Sequence, residues 1–180
     1  MRRTITAAVF ALMVCRAADM PKEPTTIGIF YALTDGKLVD LERQSATIAG
    51  RTKLGGFGGA KVSSEFKPET SPVRLSPDGL SFVVRSFAAQ TAVDPNTLYV
   101  LRVLKQHSHK RELLITDIRS PFALGGAVTT NLGEGVIAVN FEPFSEHSLR
   151  VTPVSRLGPG EYALSARLGA LDVFCFGVDK

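Results

Sequence analysis

The sequence predicts an all-β fold with little helix, either a β-sandwich or a partly open barrel of about eight to ten short strands. Three observations carry this expectation. Short runs rich in β-branched and aromatic residues recur along the chain, as in TIGIFYAL (26–33), LSFVVRSF (80–87) and VIAVNF (136–141). Turn-forming residues punctuate them at Asp35-Gly36, Pro77-Asp78-Gly79 and Pro159-Gly160. Strands do not alternate with convincing helices, which argues against a dinucleotide-binding or flavodoxin-like sheet.

In chain order, residues 26–33 form a first strand, and Asp35-Gly36 turns it into KLVDLE (37–42) as a hairpin. Residues 46–49, a glycine-rich stretch and a passage through Pro68, Pro72 and Pro77 follow, and then 80–87 forms a third strand. The middle admits two readings. Asp94-Pro95 can cap and open a helix, with Leu98, Leu101 and Leu104 at helical spacing. The strand-forming residues crowded into 98–104, and the second apolar run at 112–118, favour a hairpin with Gln106 to Lys110 at its tip. Beyond a loop at 133–135, strands are expected at 136–141, around Leu149 and Val151, and from Tyr162 to Leu164. The nearly continuous apolar run 171–178 suits a paired final strand covered on both sides.

The first 17 residues have a different logic. Arg2 and Arg3 supply a positive start, residues 4–14 are apolar, and Cys15-Arg16-Ala17-Ala18 ends in small residues, the layout of a cleavable signal for export. The apolar run is about half the roughly 20 residues a membrane span requires. Cleavage after Ala17 is preferred, with 18–25 a short tether and 26–180 one β-rich domain, or two small β lobes divided near the proline-rich passage. Leu12-Met13-Val14-Cys15 resembles a lipoprotein lipobox but carries valine where that family has glycine, alanine or serine, so a lipid anchor at Cys15 is disfavoured. Arg2-Arg3 lacks most of the flanking pattern of a twin-arginine signal.

Removing residues 1–17 changes the charge balance. The whole chain has 21 Lys and Arg against 17 Asp and Glu, and Arg2, Arg3 and Arg16 leave with the signal, so 18 face 17. The remaining domain is nearly neutral, which removes the main support for nucleic-acid binding. Of the two cysteines Cys15 lies in the signal, and Cys175 sits among Val173, Phe174 and Phe176, where a buried, inert thiol is expected.

Chemistry-bearing motifs are few. The stretch LGGFGGAKVS (54–63) is not a phosphate loop: Ala60 precedes Lys61 and Val62 follows it, where that loop needs glycine and a hydroxyl. It reads as a hinge. His107 and His109, at i and i+2, would point the same way on a strand, and with His147 they form a candidate zinc or copper site. The competing view is a solvated polar tip whose neighbouring cations oppose metal binding. Arg102, Lys105, Lys110 and Arg111 form a candidate basic contact for an anionic partner, with only Tyr99 near enough to stack on a base. No Gly-x-Ser-x-Gly elbow is present, and Glu142, Glu146, Glu161, Asp172 and Asp179 are scattered acids without a motif. No cofactor is implied.

KLVDLE, LRVLKQHSHKREL and RLGPGEYAL followed by FCFGVD together resemble a group of uncharacterised exported bacterial proteins. The Pro-Gly-Glu-Tyr turn into a strand is similar to the last hairpin of immunoglobulin-like sandwiches. Neither resemblance brings a catalytic residue. The expected function is an exported interaction module of the cell envelope, in the periplasm, at the surface or outside, binding a protein or surface glycan. The alternatives are a metal-dependent envelope enzyme using His107, His109 and His147, and a purely structural envelope component.

Overall fold

A computed structural model describes residues 22–52, 60–119, 129–130, 135–167 and 172–180. The export signal expected at 1–17, Cys15 and most of the glycine-rich stretch lie outside the described residues. Within them the protein is all-β, with only two short 3-10 turns, Phe87–Ala89 and Pro95–Thr97. Asp94 does cap the second turn, its carboxylate accepting from the Asn96 amide, but the chain enters a strand two residues later. The helical leucine spacing yields to the β-branched residues between the leucines.

Strand β1 (Phe30–Thr34) returns as β2 (Lys37–Asp40) through Asp35 and Gly36, whose φ angles of 49° and 72° are those of the tight hairpin turn the Asp-Gly pair predicts. The run read as one strand, KLVDLE, is cut at Leu41. Beyond it β3 (Glu42–Ser45) joins a different sheet, and Leu41 itself is buried between the two. Ala46 alone separates β3 from β4 (Thr47–Thr52), which pairs with β5 (Ala60–Phe66). Then come β6 (Arg74–Leu75), β7 (Phe82–Arg85), β8 (Tyr99–His107), β9 (Lys110–Arg119), β10 (Thr129–Thr130), β11 (Val136–Ile137), β12 (Val139–Ser145), β13 (Ser148–Pro153), β14 (Gly160–Ala166) and β15 (Asp172–Val178).

Five strands form one sheet in the order β12-β13-β7-β1-β2. The other runs β3-β15-β14-β8-β9-β5-β4, with β10 beside β9, β11 beside β8 and β6 parallel to β15. Its outermost strands, β3 and β4, are one residue apart in the chain, so this sheet curls back on itself into a half-barrel. The curl is made at β8, whose residues 99–104 pair with β14 while 105–107 pair with β9.

Alternation then divides the apolar residues between two cores. Phe30, Phe82, Val84, Leu101, Val151, Leu164 and Phe176 fill the space between the sheets. Phe66, Leu104, Leu113, Ala163, Val173 and Cys175 fill the curl of the larger sheet. Strands β14 and β15 serve both cores, which is why residues 161–165 and 173–178 are continuously buried. The described part of the tether is also fixed. Glu23 accepts hydrogen bonds from Ser145 Oγ (2.6 Å), Ser148 Oγ (2.8 Å) and the His147 amide (3.0 Å), and Arg85 donates to the Pro24 carbonyl.

Phe176 has no exposed surface and packs on Phe82 (centroids 4.8 Å apart) and Tyr162 (5.5 Å, stacked). Phe176→Ala is expected to cost about 3–5 kcal/mol by denaturant unfolding. Val39→Ala, on the exposed edge strand β2, is expected to change stability by about 0.5 kcal/mol or less.

Candidate functional site

The β8–β9 hairpin confirms the strand reading of 98–118 and corrects the geometry of its tip. Ser108 and His109 are the turn itself, and His109 has φ 68°. A residue in the left-handed region no longer follows strand alternation, so His107 and His109 do not form the same-face pair expected of an extended strand. His107 Nε2 lies 3.0 Å from Glu112 Oε2, and the His109 amide donates to Glu69 Oε2 at 2.9 Å. His147 occupies the β12–β13 turn of the other sheet. Among the described residues no group of three or more His, Cys, Asp or Glu is arranged to hold a metal ion.

The four basic residues do not form one patch. Lys105 and Lys110 are on the outer part of the hairpin, with Lys105 opposite Glu112 and Lys110 Nζ paired with Glu65, which Arg51 also approaches at 3.1 Å. Arg102 is half-buried on β8, on the face it shares with Leu104. Its Nε is buried without a hydrogen-bond partner among the described residues, and burial, then the nearby Arg167 charge, lowers its pKa. Arg111, expected at the surface, has no exposed surface at all. It alternates with Leu113 and so faces the inside of the curl, beside Phe66.

Arg111 there sits in a closed network of charges. Its Nη1 and Nη2 bind Glu42 at 2.8 and 3.0 Å, its Nε donates to the Pro68 carbonyl at 3.0 Å, and Glu161 Oε2 lies 3.5 Å from Nη1. Glu161 accepts from the Ser71 amide (2.8 Å) and pairs with Arg74, which also binds Asp179 through Nε and Nη2 at 3.0 and 2.7 Å. Burial works against the Glu42 carboxylate, but hydrogen bonds, that of Arg111 foremost, outweigh it and hold its pKa below the usual carboxylate value. Burial also opposes the Arg111 charge, and the hydrogen bonds to Glu42 and the charges around it keep it protonated. At the centre of this network Arg111 and Glu161 are buried and their charges are met from within the chain. The network is an internal brace.

Two open concave surfaces among the described residues lie elsewhere, and the sequence alone did not reveal them. One cleft, of about 550 Å³, lies over the outer face of the five-stranded sheet, between the 77–81 turn and the segment after β13. Asp78, Asn140, Glu142, Arg150, Thr152 and Arg156 supply its polar groups. Arg156 is paired with Asp78 at 2.9 Å. The Arg150 guanidinium has no ion pair or hydrogen bond among the described residues. Its Nε is buried without a partner and its guanidinium carbon lies 5.5 Å from the centre of the Phe144 ring. The available signal was a lone arginine between Leu149 and Val151, which alternation turns away from the core, but locating the cleft needed the sheet order. A second groove, of about 590 Å³, runs between residues 26–29 and β3, with Phe174 and Ala46 in its lining and an Arg43–Asp172 pair (2.7 Å) at its side.

Replacing Arg111 by Met keeps its bulk but strips Glu42 of its charged partner, and is expected to cost about 3–5 kcal/mol in denaturant unfolding. Because Glu42 titrates lower in the folded chain, its contribution is complete above the unfolded carboxyl pKa of about 4.3 and is lost as pH falls through the folded value. Glu42→Gln should therefore flatten the acid limb of stability against pH. Burial pushes the Cys175 thiol up to about 12, so iodoacetamide at pH 8 should label it only at the rate of unfolding.

Searches against protein-family models, curated proteins and solved structures find no match for this chain.

Proposed function

We propose that the protein is an exported binding module of the cell envelope, and that it holds its ligand in the cleft over the five-stranded sheet. The layout of residues 1–17 supports export. One observation carries the binding reading: Arg150 lines an open cleft with a charged fork that makes no ion pair with a carboxylate of the described chain, whereas Arg74, Arg85, Arg111 and Arg156 each have an acidic partner. Unpaired, partly desolvated polar groups converging in a concavity are a common mark of a binding site. Nothing comparable favours the metal-dependent enzyme, since His147 and the hairpin histidines sit in different sheets.

The test separates the cleft from the hairpin tip. Mature protein, with an intact mass matching cleavage after Ala17, is applied to envelope material from the source cells, beside a cleft-filling Thr152→Trp variant and a Lys105→Ala/Lys110→Ala tip variant. Retention of wild type and tip variant, with at least about tenfold weaker retention of Thr152→Trp at unchanged melting temperature, is the expected outcome. Equal retention of the filled variant, or no retention of the wild type, overturns the reading.

A further inference from the structure

We propose that the cleft takes a carboxylated sugar, and that Arg150 grips the carboxylate; this rests on the cleft being the binding site. Arg150 stands in β13 with Glu142 of β12 and Val83 of β7 as its direct cross-strand neighbours. Leu149 and Val151 belong to the core, so alternation turns Arg150 to the outer face. There Phe144, itself 8% exposed, backs the guanidinium. The side chain is thus held in place before any ligand arrives, with part of its hydration already removed. A planar fork of this kind matches a carboxylate through two parallel N–H···O bonds.

The surroundings select among anions. Glu142 lies directly across from Arg150, and Asp78 already occupies Arg156. One available positive charge beside a carboxylate suits a singly charged carboxylate and disfavours phosphate dianions. Asn140, Thr152 and Ser81 add neutral donors and acceptors, while Leu80 and Leu157 add apolar wall. That combination fits a ring bearing hydroxyls on its edge and C–H groups on its faces. A cleft of about 550 Å³ is in the range that holds a small ligand rather than a single ion.

An acidic peptide fits less well. Strands β7 and β13 are each paired on both sides, β13 with β12 and β7, and β7 with β13 and β1. The main chain under Arg150 and Thr152 is therefore already paired, and in the cleft only the outer edge of β12, on the side away from β13, has no strand partner among the described residues. Recognition at Arg150 itself has to come from side chains.

The probes are a trimer of galacturonic acid, the corresponding neutral galactose trimer and a tri-glutamate peptide, titrated into 15N-labelled mature protein and followed by amide shifts and calorimetry. The acidic trimer should bind with shifts centred on Asn140, Thr152 and Arg150. The neutral trimer should bind at least tenfold more weakly. Arg150→Gln should lose at least tenfold in affinity, and Arg150→Lys, which keeps the charge without the fork, should lose most of it too. The Lys105→Ala/Lys110→Ala variant should bind as wild type. Equal binding of both sugars in the cleft, or undiminished binding by Arg150→Gln, overturns the role of the carboxylate and leaves the cleft as a binding site. Preference for the peptide overturns the sugar. If no probe binds while Thr152→Trp still abolishes envelope retention, the ligand class is wrong but the site stands; if Thr152→Trp is retained, both readings fall.

Discussion

Glu161 and Arg111 are the charges on which the shape of the larger sheet depends. Both are buried, and a buried charge is tolerated only when its partners are fixed around it. Those partners come from separate parts of the chain: Glu42 on β3, the Pro68 carbonyl and Ser71 amide before β6, and Arg74 on β6, itself held by Asp179 beyond β15. The network closes one end of the half-barrel and draws the 68–74 segment onto it. It also explains Gly177. Arg74 lies across that residue, and a Cβ there would occupy the position of the guanidinium.

The same economy governs how the chain moves between sheets. Leu41 separates β2 from β3, and Ala138 separates β11 from β12, so at each place one residue carries the chain from one sheet to the other. Ala46 separates β3 from β4 at the two edges of the curled sheet. Corners this short leave no room for independent lobes at those points. The core between the sheets draws on β1, β7, β13, β8, β14 and β15 together.

Charge satisfaction then sorts the surface by role. The hairpin tip, with its conspicuous run of basic residues and histidines, is balanced by Glu65, Glu69 and Glu112. The β12–β13 hairpin is asymmetric. At its turn Glu23 secures the N-terminal segment, its carboxyl held below the usual range by Ser145 and Ser148. Further from that turn, Arg150 faces the cleft with Glu142 across from it but with no ion pair among the described residues. The anchored N-terminal segment and the Arg150 guanidinium thus occupy different stretches of one hairpin.

Local sequence determined the all-β class, the Asp35-Gly36 hairpin, the β8–β9 hairpin, the inward face of Tyr162 and Leu164, and a final strand covered on both sides. Each follows from turn chemistry or from alternation within a few residues, and needs no knowledge of distant partners. The burial of Cys175 was legible for the same reason. Tertiary structure alone decided where β2 ends and β3 begins, because the cut at Leu41 serves two sheets and leaves no turn signal. It also decided that Arg111 is internal while Lys110 next to it is paired at the surface. A run of like charges looks uniform in sequence, and on a strand its members face opposite ways. The cleft belongs to this second class: Arg150 and Glu142 become neighbours through pairing, and Asp78 and Arg156 meet only when the 77–81 turn and the segment after β13 converge. No periodicity within either segment records that meeting.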